Sequence, residues 1–98
     1  MVSKDKLLTI LKKELPYLSE QFSVKNIGIF GSYSRNDQTP ESDLDILVEF
    51  IKPVGFLKFF DLEEYLTERL GMKVELLSSD AIKPLIKNNI LADIVYAQ

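Results

Sequence analysis

The 98-residue chain contains no cysteine, no tryptophan and no histidine. Without cysteine there is neither a disulfide framework nor a thiolate metal site. Without histidine the usual proton acceptor of neutral-pH catalysis is missing, so general-base work falls to a carboxylate. No apolar run approaches the ~20 residues of a membrane-spanning helix. The opening Met-Val-Ser-Lys-Asp-Lys has no apolar signal-peptide stretch behind it, and a cytoplasmic location is expected. A surplus of basic charge is lacking too. Twelve Lys and Arg against fifteen Asp and Glu give a net charge of −3, which argues against a broad nucleic-acid footprint. What remains is an ordinary globular composition, 46% apolar and 28% charged, sized for one domain over residues 1–98.

The pattern along the chain predicts an α+β fold in the order α-β-β-α-β-α, a short sheet backed by helices. Leu7, Leu8, Leu11, Leu15 and Leu18 recur at three- and four-residue spacing and predict a helix over Ser3 to Phe22. Pro16 is expected to kink or divide it, since proline supplies no N–H and clashes with the preceding turn. A strand is expected at Val24 to Phe30, then a loop rich in Gly, Ser, Asn, Asp and Pro, then a strand from about Ser42 to Phe50. A helix over about Leu57 to Leu70 places Phe59, Leu62, Leu66 and Leu70 on one side, with Gly71 as its C-cap. A third strand follows at Lys73 to Leu77. Ser79 or Asp80 is expected to cap a last helix that accommodates Pro84 in its first turn. Phe56, Phe59 and Phe60 read as core, with a partner surface as the lesser possibility. Tyr65 and Tyr96 read as half-buried helix residues.

The chemistry concentrates in Gly31 to Glu49, GSYSRNDQTPESDLDILVE. Asp43 and Asp45 flank Leu44 in the second strand, and alternation sends both carboxylates to one face while Leu44 and Ile46 take the other. Two like charges side by side beside a core call for a hard cation with oxygen ligands, such as Mg²⁺. Ten residues earlier, Gly31-Ser32 ends the first strand, where a glycine lets backbone N–H groups approach a phosphate. Two metal ions clamping attacking and leaving oxygens need more than two carboxylates. Glu75 in Lys73-Val74-Glu75-Leu76-Leu77 is the candidate third acid, on a neighbouring strand. Arg35 is placed to offset triphosphate charge. Each feature alone has a plainer reading as a solvated strand acid, a turn or a loop arginine; together they point to nucleotide chemistry. Tyr33 could flank a bound base. Lys12-Lys13 reads as a solvated helix face.

Gly31-Ser32, ten residues and Asp43-Leu44-Asp45 resemble the GSx10DxD signature of the DNA polymerase β-like nucleotidyltransferases. The short length, the run SDLDILVEF and the ending KVELLSSDAIKPLIKNNILADIVYA are similar to the minimal nucleotidyltransferases, the antitoxin halves of HEPN/MNT toxin–antitoxin pairs. The resemblance spans about Asn26 to Tyr96. It implies a small mixed sheet flanked by helices, Mg²⁺ dependence with two ions, ATP as donor, and transfer of AMP to a tyrosine of a HEPN RNase toxin that the protein binds as a hetero-oligomer. It implies that Gly31, Ser32 and Arg35 bind triphosphate and that Asp43, Asp45 and Glu75 carry metals and catalysis. Glu75 stands where Asp is commoner, and Asn36 where many members have Gly. A non-catalytic antitoxin acting by stoichiometric binding, or a transferase for a small molecule, are the alternatives. The three acids favour the enzyme, and a chain this short leaves no room for a domain to grip a small substrate.

Overall fold

The computed structural model describes residues 3–82 and 84–97, with the backbone alone described for residues 84–86. Helix α1 (Lys4–Phe22) starts on Ser3, whose hydroxyl accepts from the Lys6 N–H at 3.2 Å. It runs unbroken through Pro16, against the expected division. Pro16 and Lys12 both lie on the exposed side of the helix, lining an open groove. The one carbonyl that proline leaves without its helical partner, that of Lys12, therefore faces solvent rather than the core.

Strand β1 (Val24–Phe30) occupies the expected residues and leads into a four-residue helix, α2 (Ser32–Arg35), in what the composition marks as a loop. Strand β2 (Leu44–Phe50) begins two residues later than expected. Helix α3 (Phe56–Leu70) ends on Gly71 at φ +70, in the left-handed region that glycine enters without strain. Strand β3 (Val74–Ser78) is followed by a single 3-10 turn over Ser79–Ala81. That turn takes the residues expected to cap the last helix, and α4 (Pro84–Asp93) instead begins on Pro84 itself. At that first position the missing N–H costs nothing. A two-residue strand, β4 (Val95–Tyr96), closes the described chain, so Tyr96 lies on a strand rather than on a helix.

The sheet order is β3-β2-β1-β4. β1 pairs antiparallel with β2 and with β4, while β2 and β3, joined across α3, run parallel. The leucine stripes of α1 (Leu7, Leu11, Leu18) and α3 (Leu62, Leu66, Leu70) cover one sheet face, meeting Ile27, Ile29, Leu44, Ile46 and Val48. Each such side chain fully withdrawn from water contributes roughly 1.5–3 kcal/mol before the entropy of ordering is subtracted. Tyr65 on α3 is half-buried, as expected, and its hydroxyl donates to Glu14 on α1 at 2.9 Å.

The aromatic cluster departs from expectation. Phe59 packs against the core, but Phe56 is 70% exposed and Phe60 54%, beside Leu57 at 71%. The inward stripe of α3 is set by Phe59, Leu62, Leu66 and Leu70. Leu57 and Phe60 fall off that stripe, while Phe56, three residues before Phe59, is the first residue of α3 and projects where β2 has already ended at Phe50. Among the described residues no helix is long and apolar enough to cross a membrane.

Candidate active site

The expected site residues come from one end of the sheet. Gly31 follows the last residue of β1, Asp43 and Asp45 flank the first residue of β2, and Glu75 is the second residue of β3. The antiparallel register sets Phe30 opposite Asp45, and the parallel register sets Asp45 opposite Glu75. The three acids thus belong to two adjacent strands, and the Gly-Ser turn leaves the third beside them.

Alternation along β2 holds at this end. Leu44 and Ile46 are fully buried under the helices while Asp45, between them, is half-buried on the other face. Its surroundings are hostile to charge. Burial first, then the Glu75 carboxylate and its hydrogen bond, then Asp43, push the Asp45 carboxyl up to about 6, with Arg35 pulling in the opposite direction. The ionised form of Asp45 is therefore held at a cost that a bound cation would relieve.

Gly31 is glycine for two independent reasons. Its backbone has φ +76 and ψ −149, outside the range that side chains tolerate, and a Cβ there would collide with Oδ2 of Asp45. The turn is held by the Arg35 N–H on the Gly31 carbonyl at 3.1 Å and the Asp37 N–H on that of Ser32 at 3.0 Å. Asn36 closes it at φ 62, taking the left-handed conformation in place of a glycine. Ser32 opens α2 and is half-exposed. Tyr33 is 5% exposed within the core, so it does not flank a bound base.

Two partners of the site are additions to the expected set. Lys73 Nζ lies 3.8 Å from Asp43 Oδ2. The signal for it was present, because residues 73 and 75 share a strand face under the same alternation that pairs 43 with 45. Asp93, at the end of α4, accepts from Arg35 Nη1 at 2.8 Å, while Asp37 accepts from Arg35 Nε at 3.2 Å. These two carboxylates raise the Arg35 pKa further above its ordinary value. Nothing local in the sequence marks Asp93, which lies 58 residues from Arg35.

Among the described residues no three acidic side chains form a ready-made metal cage, and Asp43 is turned towards Lys73. The donor chemistry nonetheless fits a hard divalent cation: three carboxylates, one of them destabilised by its negative neighbours, beside a glycine that leaves the space open.

Residues 5–97 match the family model described as a nucleotidyltransferase domain. A protein adenylyltransferase, MntA, of Thermococcus cleftensis is 44% identical over 92 residues, covering 94% of this chain and 90% of that protein. A Methanocaldococcus jannaschii protein, provisionally named a protein adenylyltransferase, is 53% identical over 88 residues, covering 89% of this chain and 90% of its own length. The fold recurs in a toxin–antitoxin crystal structure with AMP-PNP, at TM-score 0.72 and 21% identity over 99% of this chain and 73% of that one. It recurs also in the complex of a tri-AMPylated Shewanella oneidensis HEPN toxin with its MNT antitoxin, at TM-score 0.67 and 17% identity, covering 93% and 71% of the two chains. With a glycine turn, paired strand acids and relatives of this closeness, the chain belongs to the nucleotidyltransferase domain family, among the MntA-type protein adenylyltransferases.

Proposed function

We propose that this protein is an antitoxin enzyme, working in the cytoplasm, that transfers AMP from ATP to a tyrosine of a partner HEPN RNase and so silences it. The observation that carries the reading is the side-by-side placement of Asp45 and Glu75 in adjacent parallel strands, closed over by the Gly31 turn. A protein that only covers its partner has no use for a half-buried carboxylate held against two others. The relatives named protein adenylyltransferase, and a structural neighbour whose HEPN toxin carries AMP, support the same chemistry.

In the transfer, the tyrosine oxygen attacks the α-phosphorus in line. The new P–O bond forms as the bond to pyrophosphate breaks, and the phenolic proton leaves to a base. Asp43, Asp45 and Glu75 would hold Mg²⁺, which when bound offsets the charge growing on the attacking and leaving oxygens. Gly31 brings backbone N–H groups close to the triphosphate, Ser32 offers a hydroxyl and Arg35 a positive charge. With no histidine in the chain, Asp45 or Glu75 is the proton acceptor at hand. A free tyrosine has a pKa near ~10, so most of the work lies in stabilising its phenolate and orienting it.

The test is the partner's intact mass. With ATP, Mg²⁺ and the HEPN partner, each event should add about 329 Da to a partner tyrosine, the mass of AMP less water in this class of group transfer. The toxin should stay inactive after the two proteins are separated. An unchanged mass with RNase activity returning on separation would replace the enzyme with a stoichiometric binder.

A further inference from the structure

We propose that Asp93 is a positioning residue for this reaction, holding Arg35 so that its unengaged guanidinium edge meets the triphosphate of ATP. The inference rests on the nucleotidyltransferase reading of the Gly31 turn and extends it to the far end of the chain.

A guanidinium carries five N–H donors in one plane. In Arg35 the Nε donor goes to Asp37 Oδ2 and one Nη1 donor to Asp93 Oδ2, which fixes the plane and leaves the Nη2 donors for a further anion. The grip on this turn is double. The Asp93 backbone carbonyl also accepts the hydroxyl of Ser34, and Ser34 is 8% exposed. Lys4 Nζ binds the Ser34 carbonyl from α1 at 3.2 Å. Asp93 thus touches two consecutive residues of α2, the element that begins at the phosphate turn.

The position of Asp93 is set independently of Arg35. The next residue, Ile94, is wedged over Gly28 of β1, where a Cβ would lie 2.9 Å from both Ile94 Cγ1 and the Val95 carbonyl. Val95 then pairs with Ile29 in the sheet. The end of α4 is therefore anchored to β1, and the carboxylate reaches from that anchor to the arginine. Arg35 in turn donates its backbone N–H to the Gly31 carbonyl at 3.1 Å, and Gly31 packs directly against the Asp45 carboxylate. The chain of contact runs from sheet to Asp93 to Arg35 to the site. An unclamped arginine, half exposed on a four-residue helix, would lose more side-chain freedom on meeting phosphate.

Calorimetric binding of ATP and of AMP, both with Mg²⁺, to purified wild type, Asp93→Ala, Asp93→Glu, Arg35→Ala and the double variant reads this directly. Asp93→Ala should weaken ATP about 10-fold, the usual worth of one hydrogen bond to a charged group. AMP, which has no β- or γ-phosphate, should bind almost unchanged. Asp93→Glu should recover part of the loss, and the double variant should be no weaker than Arg35→Ala alone. Should Asp93→Ala fail to fold, Asp93→Asn, which keeps the shape and removes only the charge, takes its place with the same pattern at smaller amplitude. Equal losses for ATP and AMP would mean that Asp93 only supports the fold. Tighter ATP binding would mean that it competes with phosphate for Arg35, and additive losses in the double variant that it acts elsewhere. Any of the three overturns the proposal. Wild-type protein that binds no ATP at all would overturn instead the nucleotidyltransferase reading beneath it.

Discussion

Strand β2 has two faces with opposite duties. Leu44, Ile46 and Val48 are completely buried beneath α1 and α3, while Asp45 and Glu49 stand half-buried on the reverse. One peptide segment thus serves as the central beam of the core and as the mount of a charged site. Rigidity on one side is what allows strain on the other. Asp45 can be kept near Glu75 and Asp43, where its ionised form is disfavoured, because its neighbours in sequence are locked in the core. Leu47 blurs the division, being 2% exposed although it shares the Asp45 face. It lines a small cavity with Ile82 and Leu91 but also with Glu49, Asp80 and Lys87, so it is an apolar side chain covered among charged neighbours.

Breaking the charged face should produce the largest effect. Asp45→Asn is expected to lower AMP transfer on the order of 10³-fold, the scale set by removing a principal electrostatic group. It should leave the fold intact. The same variant has a pH signature in metal-free buffer. The Asp45 carboxyl is raised to about 6 in the folded protein, against 3.8 for the unperturbed group, so the folded state holds this proton more tightly than the unfolded chain does. The associated stability is present below the unperturbed value and disappears as pH rises through about 6. Melting temperatures of wild type should therefore fall behind Asp45→Asn between pH 4 and 7, the two converging at the acid end. Parallel melting curves across that range would show that Asp45 is not strained.

The core face should break in the reverse sense. Ile46→Ala, one residue away, is expected to cost about 3 kcal/mol in urea unfolding through the cavity that it leaves. Transfer per folded molecule should change little. If its activity collapses while the fold survives, the two faces are not separable.

Glu75→Gln sharpens the comparison by altering the partner of Asp45 without touching β2. Turnover should drop about 10²-fold while ATP affinity in the presence of Mg²⁺ holds, the outcome expected if Asp43 and Asp45 serve the nucleotide and Glu75 the acceptor side. Equal turnover would return Glu75 to an ordinary strand carboxylate. The smallest change is expected from Ser32→Ala. The backbone donors of the turn survive, so the KM for ATP should rise by the equivalent of about 1–2 kcal/mol, with kcat nearly constant. Unchanged ATP kinetics would put the hydroxyl outside the phosphate cradle.

Periodicity made much of this legible. β1 spans the residues that its apolar run suggests, α3 begins one residue early, and the alternation of Asp43, Leu44, Asp45 and Ile46 separates site from core as the pattern implies. What escaped depends on distant partners. α2 forms where composition reads as a loop, since its four residues are held by a buried Tyr33 and by Ser34 on Asp93 rather than by propensity. β4 is two residues long and exists only by pairing with Gly28 and Ile29. Pro16 reads as a breaker, yet it sits where water can take the freed carbonyl. Phe56 and Phe60 read as core because they are aromatic, but Phe60 is out of phase with the inward stripe and Phe56 stands on the open first turn of α3.

The parallel pairing of β2 with β3 also bears on how the molecule is assembled. Asp45 and Glu75 lie thirty residues apart in sequence (45 to 75), and Arg35 and Asp93 lie 58 apart. The β1–β2 pair closes the shorter connection, residues 31–43, whereas the parallel pair must wait for α3 to be in place before its ends can meet. Long-range pairing of this kind is the slow part of folding. During synthesis the glycine turn and both aspartates emerge while the strand that completes them is still unmade. The pairing of Asp45 with Glu75 is thus acquired late, as a property of the finished sheet, and a nascent chain interrupted before residue 75 would carry the signature motif without its third acid.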